Sequence, residues 1–117
     1  MKKFLANFDL YERSLEANRL QVITYGSFNC LTNLKQLMLR SNAVVHIESK
    51  AFCSMQNLQY LILDNNRLKA MSQGEFGCLS NLKRLRLKYN AISTIETNSL
   101  CGLQSLTRLF VSIYKLD

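Results

Sequence analysis

The chain has 117 residues, 48% hydrophobic and 20% charged, with no proline and four glycines. That balance supports one packed domain and excludes a disordered or low-complexity chain. A net charge of +7 gives a general attraction to anions without naming one, and no run of about 18 apolar residues is present to cross a membrane as a helix.

Residues 1–9 carry Lys2 and Lys3, then an apolar stretch broken by Asn7 and Asp9. A secretory signal needs a longer apolar centre and a cleavage site. No Asn-x-Ser/Thr sequon is present either. The only landmark in this partial unit is Phe4. Residues 10–33 then run through Leu10, Asn18, Leu20, Ile23 and Phe28, with Arg13 where each later unit has leucine. Residues 34–57 repeat the series as Leu34, Leu37, Asn42, Val44, Ile47 and Phe52. Residues 58–81 give the clearest copy: Leu58, Leu61, Leu63, Asn66, Leu68, Met71 and Phe76. Residues 82–105 follow with Leu82, Leu85, Leu87, Asn90, Ile92, Ile95 and Leu100. Residues 106–117 begin a further unit with Leu106, Leu109 and Val111, and place Tyr114 at the asparagine position.

Every column advances by one interval, the step from Leu34 to Leu58 to Leu82. Such a repeat predicts a stacked solenoid, because one unit cannot bury its own apolar face and about three are needed. Around Leu82-x-x-Leu85-x-Leu87 the spacing predicts a short strand with alternating side chains. Leu85 and Leu87 face inward, while Arg84, Arg86 and Lys88 face outward. The column Asn18, Asn42, Asn66 and Asn90 is expected to turn the chain and bond backbone groups of neighbouring units as a ladder. The column Phe4, Phe28, Phe52, Phe76 and Leu100 is expected to fill the far side of the core, where the chain returns without regular strand. The basic run from Lys83 to Lys88 is thus a repeat strand, and its leucines argue against a nuclear address.

These columns resemble the leucine-rich repeat family in its 24-residue, extracellular-type form. The Asn-Leu pair before each strand (Asn33-Leu34, Asn57-Leu58, Asn81-Leu82) is similar to that of Toll-like receptor ectodomains. The resemblance implies an α/β-type solenoid, a curved array with short parallel strands on the concave face and irregular or short helical and 3-10 segments on the convex side. It implies a receptor-like binding module of innate immunity, on the extracellular or endosomal-lumen side of a membrane. Members of the family commonly close their ends with cysteine-rich caps. None is visible here, so the chain is expected to be an interior slice of a longer array or a truncated product, able to self-associate through open ends.

Outward strand positions line the expected ligand face. The candidates are Lys35, Met38, Arg40, Tyr60, Ile62, Lys83, Arg84, Arg86, Lys88, Arg108 and Phe110, with Asp64 and Tyr89 also outward and Tyr11, Glu12, Ser14 and Glu16 contributed by the first unit. Met38, Ile62, Arg86 and Phe110 share one column, an apolar and nominally exposed strip beside cations. A protein partner is the leading expectation. Nucleic acid or another polyanion bound along the strip from Arg40 to Arg108 is the alternative, and a free-standing intracellular scaffold with four reduced thiols is a third.

Cys30 and Cys78 share one repeat position, and Cys53 and Cys101 share the position before it. They are either small half-buried thiols or bridges between neighbouring units, Cys30 with Cys53 or Cys78 with Cys101. Zinc lacks support, since no Cys-x-x-Cys pair or histidine cluster occurs. His46, the sole histidine, is expected in a turn beside Ile47. With no phosphate loop, nucleophile motif or phased acid and base, the reading is a non-enzyme without a cofactor.

Overall fold

The computed structural model describes residues 12–15, 19–96 and 98–113, with the backbone alone at 12–14 and at 73. Phe4, Tyr11, Glu16, Asn18 and Tyr114, and the side chains of Glu12, Arg13 and Ser14, lie outside the described residues. In chain order the elements are β1 (Glu12–Ser14), β2 (Val22–Ile23), β3 (Gln36–Met38), β4 (His46–Ile47), β5 (Tyr60–Ile62), β6 (Ala70–Met71), α1 (Gln73–Phe76), β7 (Arg84–Leu87), β8 (Thr94–Ile95) and β9 (Arg108–Val111).

The repeat becomes a sheet directly. Strands β1, β3, β5, β7 and β9 form one parallel sheet in that order. Leu37 pairs with Leu61, Leu61 with Leu85 and Leu85 with Leu109, each partner one full repeat on. Period-2 alternation sends Leu37, Leu61 and Leu85 inward with no exposed surface, while Gln36, Met38, Tyr60 and Ile62 on the other face stay half-buried. The return path differs from expectation. It carries two further parallel pairs, β2 with β4 and β6 with β8, at the same one-repeat offset (Ile23 with Ile47, Met71 with Ile95). Stacked units bring these backbones within pairing distance, and two-residue strands satisfy groups that burial would otherwise strand. His46 accordingly stands exposed on β4, not in a turn.

Behind the sheet the rings of Phe28, Phe52 and Phe76 stack with centroids 6.2 and 6.1 Å apart. Each ring is only 1% exposed, and full burial of such a side chain stabilises by about 1.5–3 kcal/mol. Leu100 does not extend this stack. It is 38% exposed, and the buried residues on either side of it are Ser99 and Leu103.

Asn42, Asn66 and Asn90 are all buried and bond the backbone of neighbouring units. The Asn66 amide donates to the Leu39 carbonyl of the preceding unit and to Leu63 and Asp64 of its own, while its oxygen accepts the Val44 N–H at 3.1 Å. Asn42 and Asn90 repeat the scheme through Leu20 and Leu68. One residue earlier the chain turns left-handed, with φ of 61° at Ser41, 59° at Asn65 and 60° at Tyr89.

A second asparagine ladder, built from the Asn-Leu pairs at Asn57 and Asn81, runs along the opposite corner. Asn57 Nδ2 donates to Thr32 O at 3.1 Å and Asn81 Nδ2 to Gln56 O at 2.8 Å, each 25 residues back. Close approach at this corner shares that offset. A Cβ on Gly102 would lie 2.2 Å from the carbonyl oxygen of Gly77. The disulfide obeys the same shear. It joins Cys53 to Cys78, 25 residues apart with Cα atoms 5.0 Å apart, and leaves Cys30 and Cys101 free. Both expected pairings, Cys30 with Cys53 and Cys78 with Cys101, fall one position short of a full repeat. The corner runs one position beyond it, so those pairings are misaligned.

Candidate ligand-binding face

The outer side of the five-stranded sheet gathers two columns into one hollow. Gln36, Tyr60, Arg84 and Arg108 stand side by side on β3, β5, β7 and β9. Two residues further along, Ile62, Arg86 and Phe110 form the second column. Together they line a cavity of about 500 Å³. Of the residues singled out in the sequence, Tyr60, Ile62, Arg84, Arg86, Arg108 and Phe110 therefore converge. Lys35, Met38, Arg40, Lys83 and Lys88 do not line the hollow.

The strip of Met38, Ile62 and Phe110 is half-buried, where the sequence suggests exposure. Neighbouring long side chains lie across it. The Arg86 guanidinium carbon sits 4.6 Å from the centre of the Phe110 ring, and that of Arg84 sits 5.2 Å from the centre of the Tyr60 ring. Such cation–π contacts contribute about 0.5–1 kcal/mol at exposed sites and hold both partners in place.

Asp64 also departs from the sequence reading. Alternation places it among the outward residues, yet it is 3% exposed. Its Oδ2 accepts from Arg86 Nε at 3.0 Å, and its Oδ1 accepts the Lys88 N–H at 2.9 Å. A buried carboxylate needs such partners, since an unpaired charge there is strongly disfavoured. Arg86 is thus fixed between a carboxylate and a ring. The signal in the sequence is an acidic residue 22 positions before Arg86, diagonal to it and two residues past the end of β5. Arg84 and Arg108, by contrast, are adjacent in register and exposed, and among the described residues no carboxylate pairs with either.

A second, smaller hollow of about 280 Å³ lies on the far corner, among His46, Glu48, Ser72 and Glu75. Burial raises the Glu75 carboxyl above its ordinary value. The Ser72 N–H bond and His46 oppose this shift, and Glu96 adds to it. Glu75 occupies a column otherwise held by Ser27, Ala51 and Ser99, which explains why a charged group is desolvated there.

The leucine rich repeat family model matches residues 10–68 and again 56–113, nearly the whole chain. The chain belongs to the leucine-rich repeat family. No curated protein gives a significant match. Among solved structures, this leucine-rich repeat chain is similar to one in the glycosylated Toll–Spatzle complex of Drosophila, at 28% identity and a TM-score of 0.83, over 86% of this chain and 14% of that one. A second structure of that complex aligns at 28% identity and a TM-score of 0.77, over 80% and 12%. A TLR13–ssRNA13 complex aligns at 22% identity and a TM-score of 0.71, over 87% and 19%, a likeness of fold. The chain therefore spans less than a fifth of the length of each of these matched chains.

Proposed function

We propose that this chain is a non-catalytic recognition module of receptor type, which binds a protein ligand through the outer face of its sheet. The observation that carries this reading is the hollow itself. Tyr60, Arg84, Arg86 and Phe110 brace one another in pairs, so their ordering cost is met before a ligand arrives. Aromatic residues and arginine dominate interface hot spots, and a half-buried apolar strip with a cationic border has that composition. Two further points support it. The similar Drosophila structure holds Toll with Spatzle, a protein partner, described as a hub in development and innate immunity. The Cys53–Cys78 disulfide suits an oxidising compartment and counts against the cytosolic scaffold.

Peptides selected from a random displayed library against the chain test the reading. Binding of the selected peptides should fall at least about tenfold on Ile62→Glu and stay unchanged on Lys69→Glu. Equal binding to both variants would place recognition elsewhere. The polyanion reading rests on the cations Lys83, Arg84, Arg86 and Lys88. It requires that a uridine-rich single-stranded RNA bind with a steep inverse dependence on salt. Reversing those four residues to glutamate should then abolish binding.

A further inference from the structure

The structure assigns a carboxylate-binding subsite to the Arg84–Arg108 pair, and we propose that the ligand docks there through an acidic side chain of a protein. The inference rests on the recognition reading above and adds the chemistry of the partner.

Three arginines border the hollow, and their roles differ. Arg86 is already committed to Asp64, with Nε 3.0 Å from the carboxylate and the guanidinium over Phe110. Arg84 leans on Tyr60, which orders its side chain, and no carboxylate among the described residues compensates its charge. Arg108 has no ion pair among the described residues. Arg84 and Arg108 are register partners on adjacent parallel strands, so their backbones run about 4.8 Å apart. Like charges directly opposite destabilise a sheet. The neighbouring column positions are Gln36 and Tyr60, and neither offers a negative charge.

An anion between the two forks relieves this repulsion. Each guanidinium presents paired N–H donors that match the two oxygens of a carboxylate, a match an ammonium lacks. The observations favour a carboxylate on a protein over a nucleic-acid backbone for two reasons. One face of each ring in the hollow, Tyr60 and Phe110, is already covered by an arginine of this chain, which reduces the free ring surface on which bases stack. Of the remaining lining, Ile62 and the ring edges suit apolar side chains beside the acid, and Gln36 adds one neutral amide.

The test titrates the 117-residue chain with a hexaglutamate peptide at near-physiological salt, with hexaglutamine as the neutral control. Four variants are compared with the wild-type chain. The double variant Arg84→Lys with Arg108→Lys keeps charge and loses the forks. The pair Arg67→Gln with Lys69→Gln removes two charges away from the hollow. Ile62→Glu disrupts the face, and Arg108→Gln removes one fork. The proposal expects hexaglutamate to bind, hexaglutamine not to bind, the double lysine variant to lose at least about tenfold, and the Arg67/Lys69 variant less than about threefold. Equal binding by wild type and the double lysine variant overturns the subsite, and so does failure of hexaglutamate to bind. If Ile62→Glu still abolishes binding in the first case, the recognition face survives and only the fork is lost. If no substitution in the hollow has an effect, both readings fall. Stronger binding of a uridine oligonucleotide than of hexaglutamate, lost on Arg108→Gln, would transfer the site to a phosphate ligand and overturn the carboxylate.

Discussion

The two faces of the sheet follow different rules. Inward, Leu37, Leu61 and Leu85 or Asn42, Asn66 and Asn90 recur without variation, because each must fit the same hole made by the units before and after it. Outward, the equivalent column reads Met38, Ile62, Arg86 and Phe110, and the next reads Gln36, Tyr60, Arg84 and Arg108. The stacking asks for no single residue type at these positions, which is why the proposed recognition chemistry is assigned to them. Periodicity marks what holds the solenoid together. Departure from periodicity on one face marks what distinguishes this chain from another array.

The contrast breaks most visibly inside. Phe52 is sandwiched between two rings, so Phe52→Ala opens a cavity shared by three units and should cost about 3–5 kcal/mol in chemical denaturation. Asn66→Ala removes the partner of one buried N–H and three carbonyls. At about 1 kcal/mol for each net bond, a loss of about 3 kcal/mol or more is expected by the same measurement. Replacing both Cys53 and Cys78 by serine frees a closed loop and should cost about 3 kcal/mol, an effect reproduced in the unmodified chain by reductant.

A smaller effect, dependent on pH, sits at Glu75. Its carboxyl is raised in the folded chain, so folding disfavours the ionised form. Stability from this group is therefore greatest when it is protonated and falls as pH rises from the ordinary carboxylate value through the raised one. Glu75→Gln keeps an acceptor for the Ser72 N–H and removes the charge. It should raise the melting temperature at pH 7 by a few degrees at most, and the gain should vanish near about pH 4. A gain that persists undiminished in acid would mean that packing, not charge, is responsible.

The fold was legible because every column spoke several times. Leucine at one spacing is weak evidence, but leucine, asparagine, isoleucine and phenylalanine advancing together by one repeat fix the pairing register of the main sheet. Features that depend on less than a full unit were not legible. The disulfide partner turned on a shear of a single position at the convex corner, and that corner's register appears only once Asn57, Asn81 and Gly102 are seen against their neighbours. The two-residue strands on the return path carry no alternation long enough to read. At the candidate site the outward positions could be named from alternation alone. Which of them converge could not, because that depends on long side chains reaching diagonally: Arg86 to Asp64, and Arg84 to Tyr60. Tyr89 shows the same limit. Its left-handed backbone is set by the turn it shares with Ser41 and Asn65, while its side chain stands exposed.

The most direct test sets one residue from each face side by side. Thermal unfolding of Asn66→Ala and Arg108→Gln would be recorded under identical conditions, with the wild-type chain as reference. A large fall is expected for Asn66→Ala. No fall, or a slight rise, is expected for Arg108→Gln, since neutralising Arg108 removes a like-charge neighbour of Arg84. Comparable losses in the two variants would contradict the division between a periodic face that holds the fold and an aperiodic face to which we assign binding.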